Sequence, residues 1–172
     1  MKVLCIIDCQ NDFITGALRN EKAIATLPKI IDKINQARKN NYQIIFTRDT
    51  HFENYLQTQE GKNLPIPHCI KETFGWEIAS KITIKDEDII VDKTNFGYTG
   101  WNNILPNEIE EIEIIGFVTD ICIVSNCLIL KALYPEATIA VDAKCCAGAT
   151  PESHKAALQT MKMCQIEVYN ED

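Results

Sequence analysis

No glycine-rich phosphate loop interrupts this 172-residue chain, whose seven glycines form neither G-x-G-x-x-G nor G-x-x-x-x-G-K-[ST] after any strand-like run. A nucleotide site of either kind loses its main support. There is no Cys-x-x-Cys, which argues against a zinc knuckle and a thioredoxin-like redox pair. Apolar runs stay short of the roughly 20 residues needed to span a bilayer. The opening Met1-Lys-Val-Leu-Cys-Ile-Ile-Asp8 turns acidic too soon for a signal peptide. Positive charge is in deficit, and a formal net charge of −7 disfavours nucleic acid or an anionic membrane as partner. Repeats, low-complexity tracts and linkers are absent as well. These absences lead to the expectation of a cytoplasmic protein.

What is present fits one globular domain over residues 1–172, with 46% hydrophobic and 24% charged residues. Eight cysteines suggest a disulfide framework at first sight. A chain this long needs no such staples, and Cys5, Cys122, Cys127 and Cys164 sit within apolar patterns, so they read as reduced packing residues. Adjacent Cys145 and Cys146 read as two small buried residues rather than a vicinal disulfide.

Strand-length apolar runs recur at Val3–Ile7, Ile44–Phe46, Ile89–Val91, Ile112–Ile115, Thr138–Val141 and Ile166–Tyr169. Most are continuous rather than alternating, the pattern of parallel strands covered on both faces. Ala23, Leu27, Ile30, Ile34 and Ala37 form a helical stripe, with Lys22, Lys29, Lys33 and Arg38 mostly opposite. Residues 121–133 are apolar almost all round, predicting a largely buried helix. Thr150-Pro151 reads as the cap and first residue of a last helix ending near Cys164. This alternation predicts an α/β fold, a three-layer αβα sandwich with a mainly parallel, Rossmann-like sheet. The turn-rich segment from Asp49 to Lys71 is long enough to suggest a functional loop.

Ligands of such sheets bind beyond the carboxyl ends of the strands. The residues expected there are Asp8, Gln10, Asp12 and Phe13, then Arg48 to His51, then Asp92, Lys93 and Asn95 to Tyr98, then Thr119, Asp120 and Cys122. In Ile114-Ile-Gly-Phe-Val-Thr-Asp-Ile-Cys122 a buried strand breaks at Gly116 and a helix begins near Asp120. Cys122 would lie in its first turn, where the helix dipole and a nearby Lys93 favour a thiolate nucleophile. Its N–H and another from the Gly116–Thr119 turn would receive an oxyanion. Asp8 would protonate the leaving group, with Lys93 orienting it. Such a set describes acyl transfer through a thioester. Asp49, His51 and His68 offer a carboxylate and two imidazoles, suited to Zn²⁺, Mn²⁺ or Fe²⁺, with Cys69 a rival ligand. Spacing alone equally suits exposed loop histidines. His154 reads as a surface residue.

Five ordered motifs now bear comparison with a known family. Ile6-Ile-Asp-Cys-Gln-Asn-Asp-Phe13, Thr47-Arg-Asp-Thr-His51, Pro67-His-Cys69, Val91-Asp-Lys93 and Gly116-Phe-Val-Thr-Asp-Ile-Cys122 resemble the isochorismatase-like cysteine hydrolases, in their nicotinamidase/pyrazinamidase branch. The resemblance implies Asp8, Lys93 and Cys122 as catalytic triad and Asp49, His51 and His68 as metal ligands. It further implies a cis peptide at Phe117–Val118 and an oxyanion hole from the N–H groups of Val118 and Cys122. Phe13 matches one wall of the substrate pocket, with Trp76, Phe96 and Tyr98 as looser candidates.

The implied activity is metal-assisted hydrolysis of nicotinamide or a related heteroaromatic amide to acid and ammonia, as in NAD salvage, by a homodimer or homotetramer. Related readings are an N-carbamoyl or ureido amidohydrolase, an isochorismatase, and a non-catalytic binding protein. The segment Thr94-Asn-Phe-Gly-Tyr-Thr-Gly-Trp101 departs from the family pattern, and so does the bulky Phe117.

Overall fold

A computed structural model describes residues 1–171. Six strands form one sheet: β1 (Lys2–Ile7), β2 (Gln43–Asp49), β3 (Ile89–Lys93), β4 (Glu111–Phe117), β5 (Thr138–Ala147) and β6 (Glu167–Tyr169). Their order is β3-β2-β1-β4-β5-β6, and every pair is parallel, stricter than the mainly parallel sheet expected. The helices are α1 (Asn11–Ile14), α2 (Glu21–Lys39), α3 (Gln59–Asn63), α4 (Trp101–Ile104), α5 (Val124–Leu133) and α6 (Pro151–Met163). Among the described residues no helix is long and apolar enough to cross a membrane.

The continuous apolar runs are explained by the alternation of side chains along each strand. Val3, Cys5 and Ile7 of β1 point into a core with Cys127 and Leu130 of α5 and Leu158 and Met161 of α6. Leu4 and Ile6 point the other way, onto Ala23, Leu27, Ile30 and Ile34 of α2. Both faces are therefore dry, which is where parallel sheets occur. Asn20 caps α2 by accepting the N–H groups of Lys22 and Ala23 at 2.9 and 3.2 Å. Thr150 caps α6 in a reciprocal box with Ser153, and Pro151 stands in the first turn as the sequence predicts.

The chain winds outward from β1 to β3 and then returns to lay β4 against the other side of β1. That reversal opens a crevice at the carboxyl ends of β1 and β4. Gly116 lets the two strands close just before it, with φ +124° and a would-be Cβ 2.1 Å from the Ile7 carbonyl oxygen. No other residue type fits there.

Three local expectations change. The helix after β4 starts as a single π turn, Thr119–Ile123, before α5. Its outer face is less buried than the composition suggested, with Leu128 39% and Leu133 40% exposed, because no further layer covers it. Cys164 ends α6 exposed, whereas the other seven cysteines are buried, and all eight are free thiols. The segment between Asp49 and Lys71 is built around a 3-10 turn, Tyr55–Gln57, and α3.

Candidate active site

Asp8 follows β1 directly, in a left-handed conformation with φ 50°. Its backbone N–H donates to the Thr47 carbonyl at 3.2 Å, and its Oδ1 accepts from Thr47 Oγ1 at 2.6 Å. Lys93 ends β3, two strands away, and its long stem crosses the carboxyl ends of the strands to reach the crevice. There Nζ lies 2.7 Å from Asp8 Oδ2, 3.5 Å from Cys122 Sγ and 3.4 Å from Asp49 Oδ1. The Asp8 contact is a close, fully buried ion pair. Cys122 sits in the π turn, 5% exposed. A carboxyl, an ammonium and a thiol from three distant segments thus meet at one point. The Phe117–Val118 peptide is cis, as the resemblance implies.

The electrostatics correct the expectation of a standing thiolate. Burial pushes the Cys122 thiol well up, and the adjacent Asp8 adds to this, while Lys93 opposes it without prevailing. Position in a first helical turn does not offset the loss of water around the sulfur. Burial also raises the Asp8 carboxyl, against the pull of Lys93. Burial acts downward on Lys93, but the Asp8 and Asp49 carboxyl groups prevail and keep its ammonium charged. These directions favour the protonated sulfur, next to the Asp8 carboxyl.

Beside this cluster lies a second one. Asp49 ends β2 and His51 follows it, while His68 comes from beyond α3. His51 Nε2 and His68 Nε2 stand 3.0 and 3.4 Å from Asp49 Oδ2, and 3.4 and 3.7 Å from Glu60 Oε1. These four ligand atoms all lie within 4.8 Å of one another. His68 Nδ1–H donates to the Ile66 carbonyl at 2.8 Å, which leaves a lone pair on Nε2 facing the group. Burial acts downward on His51, but Asp49 and Glu60 raise it to about 9, so the cluster is short of positive charge. Burial would raise the Asp49 carboxyl, yet His51, His68 and Lys93 hold it well below the usual carboxylate range. Two imidazoles and two carboxylates around a cation-deficient centre fit a divalent transition ion.

Gln10 fixes this second cluster in place. Its Oε1 accepts the Asp49 N–H at 2.8 Å, and its Nε2 donates to the Asp49 carbonyl at 2.8 Å and the Trp76 carbonyl at 2.7 Å. Glu60 and Tyr55 escaped the sequence reading. Tyr55 packs edge-on against His51 and His68, at 4.7 and 5.1 Å between ring centroids. An acidic residue between two loop histidines is a faint signal, and only the fold of α3 turns Glu60 inward.

The expected pocket aromatics separate. Phe13 stands 6.2 Å from the His68 ring, edge-on. Trp76 is occupied elsewhere, stacked on the Arg48 guanidinium at 3.6 Å with its indole N–H donating to Thr50 Oγ1. Tyr98 packs on Trp101 at 5.3 Å, and Phe96 is 44% exposed. Cys69 is a buried thiol outside the four-ligand group, its N–H donating to Asp12 Oδ2 at 2.7 Å. His154 is no bare surface residue; it is half-buried, with Nδ1 2.8 Å from Thr119 Oγ1 at the start of the π turn.

The doubly wound parallel sheet and its β1/β4 crevice define an isochorismatase-like α/β hydrolase fold. The sequence profile of the isochorismatase domain matches residues 2–171, and the chain belongs to that family. It is 24% identical to the nicotinamidase of Saccharomyces cerevisiae over 188 aligned positions, covering 83% of this chain and 87% of that one. It is 22% identical to the nicotinamidase/pyrazinamidase of Mycobacterium tuberculosis, covering 98% of each. The crystal structure of Pyrococcus horikoshii pyrazinamidase in complex with zinc superposes with a TM-score of 0.85 at 24% identity, covering 99% of both chains. The likeness of structure is one of fold.

Proposed function

We propose that this protein is a cysteine amidohydrolase that cleaves nicotinamide or a closely related heteroaromatic amide to the carboxylic acid and ammonia. One observation carries the reading: the Lys93 ammonium touches Asp8, Cys122 and Asp49 at once. Acid–base group, thiol and ligand cluster are thereby tied to a common point. The nicotinamidase and pyrazinamidase names of the relatives support the substrate class.

Asp8 takes the Cys122 proton as the sulfur attacks the carboxamide carbon. The C=O bond opens to an oxyanion, received by the N–H groups of Val118 and Cys122. Asp8, now neutral and stabilised in that form by burial, returns the proton to the amide nitrogen. The C–N bond breaks, ammonia leaves and a thioester remains. Water then attacks the thioester, giving its proton to Asp8. The acid departs, and Asp8 reprotonates the sulfur. Lys93 stays charged throughout and holds Asp8 in place. Asp49, His51, Glu60 and His68 would hold a divalent transition ion, which when bound supplies a Lewis-acid contact for a ring nitrogen. Phe13, beside His68, would close one side of the ring. Trp76, held on Arg48 and Thr50, would stand farther off, and Phe96 and Tyr98 would flank the site from the segment after Lys93. We take the working form to be a homodimer or homotetramer in the cytoplasm.

The test is ammonia release from nicotinamide by metal-loaded protein, with acyl-Cys122 trapped by acid quench and read by mass spectrometry. No ammonia from nicotinamide, with turnover of an N-carbamoyl compound instead, would replace the substrate. Turnover without any adduct would remove the covalent route.

A further inference from the structure

Asn126 lies in the first turn of α5, within an apolar stretch, and is completely buried. A buried carboxamide must satisfy two donors and an acceptor, and in a helix interior asparagine is a weak former. Here every group is used, in two directions. Oδ1 accepts from the Tyr98 backbone N–H at 2.9 Å and from the Trp101 indole N–H at 3.1 Å. Nδ2 donates to the Phe96 carbonyl at 3.2 Å and to the Cys122 carbonyl at 2.8 Å.

Three of these partners belong to the segment that follows β3. The fourth is the backbone of the residue whose sulfur faces Lys93. The same segment is tied again by Lys93 Nζ donating to the Asn95 carbonyl at 3.1 Å. It therefore runs alongside Cys122, and Trp101, itself fully buried, anchors its far end. Movement of the Phe96–Tyr98 backbone away from the Cys122 turn breaks several hydrogen bonds at one dry amide. No sequence motif assigns Asn126 this task.

Resting on the amidase reading for the chemistry of the site, we propose that Asn126 is a positioning residue that sets substrate selectivity. It joins the Phe96–Tyr98 wall and the Cys122 turn into one rigid unit, and so limits the size of the acyl group that reaches the sulfur.

Asn126→Thr separates the two directions. A threonine hydroxyl can bond the carbonyl four residues back, here Cys122, but is too short to hold the loop. Wild type, Asn126→Thr and Trp101→Phe, which removes the indole donor together with part of the buried ring, are each treated with iodoacetamide and with bulkier N-benzyliodoacetamide. Labelling of Cys122 is followed by peptide mass spectrometry, and kcat/KM for nicotinamide and 5-methylnicotinamide is measured in parallel.

The small-to-large labelling ratio should fall about tenfold in Asn126→Thr, the scale on which a pocket wall rejects an added carbon group. Trp101→Phe should move it the same way by less, and the kcat/KM ratio should follow. An unchanged ratio in a folded variant overturns the proposal. So do rates that rise equally for both reagents, which mark general loosening, and a Cys122 that neither reagent labels in any form. A shifted labelling ratio without amide turnover in wild type leaves the positioning role standing and removes the amidase reading.

Discussion

Asp49 and Lys93 share a contact that belongs to two sites at once. Asp49 Oδ1 lies 3.4 Å from Lys93 Nζ, while Oδ2 faces His51 and His68 at 3.0 and 3.4 Å. One carboxylate thus binds the ammonium that pairs with Asp8 and also forms a quarter of the ligand cluster. Because Gln10 holds the Asp49 backbone from both its N–H and its carbonyl, the two sites are mechanically one.

Metal content should follow the four ligands. Elemental analysis should find about one transition ion per wild-type chain, and very little after His51→Ala or Asp49→Ala. Glu60→Gln should keep the fold and weaken binding by about tenfold or more, read by competition with a chromogenic chelator. Chelation should raise KM for nicotinamide more than it lowers kcat, and should lower the melting temperature, since a ligand at 100 times its Kd adds about 2.7 kcal/mol to stability. Full metal content in the Asp49 variant would break the link drawn above.

Cys122→Ala should bring turnover to background. The exchange of a thiol for a hydrogen on the β-carbon removes little volume, so stability by urea unfolding should change by no more than about 1 kcal/mol. Retained activity would contradict the covalent route. A large loss of stability would instead make the sulfur a packing group.

Asp8→Asn removes the group that accepts and returns the proton, and kcat should fall about 10²- to 10⁴-fold. It also leaves the buried Lys93 with Asp49 as its remaining carboxylate. Breaking a buried pair from one side costs about 3 kcal/mol, which denaturant melts would register. A variant as active as wild type would transfer the acid–base role elsewhere.

His154 offers a pH test. Burial holds its imidazole below the ordinary value of 6.5, although Asp120 pulls the other way. A depressed histidine favours the neutral form in the folded state, so the unfolded chain takes up the proton first as pH falls below 6.5. Its stabilising effect is therefore complete above that value and is lost on acidification. The stability difference between wild type and His154→Gln should shrink between about pH 7 and about pH 5.5. A constant difference would mean that His154 titrates as an ordinary exposed side chain.

Much of the molecule is written in local patterns. Continuous apolar runs state that the strands are parallel and doubly covered, because a strand facing water on one side must alternate. Thr150-Pro151 marks the start of α6, because capping depends on neighbours in the chain. The motifs that contain Asp8, Lys93 and Cys122 name the candidate reacting groups, because side chains at strand ends are the ones a ligand of such a sheet would meet. Four other features depend on positions far apart in the chain. The strand order that sets β1 beside β4 brings the Asp8 and Cys122 segments together. The turn of α3 delivers Glu60 to the histidines, and the folding of the 94–101 segment over α5 gives Asn126 three of its four partners. Whether Cys122 keeps its proton was also beyond local reading. A helix terminus and a lysine argue for a thiolate, but removal of water by the surrounding core outweighs both, and that burial exists only once the layers have packed.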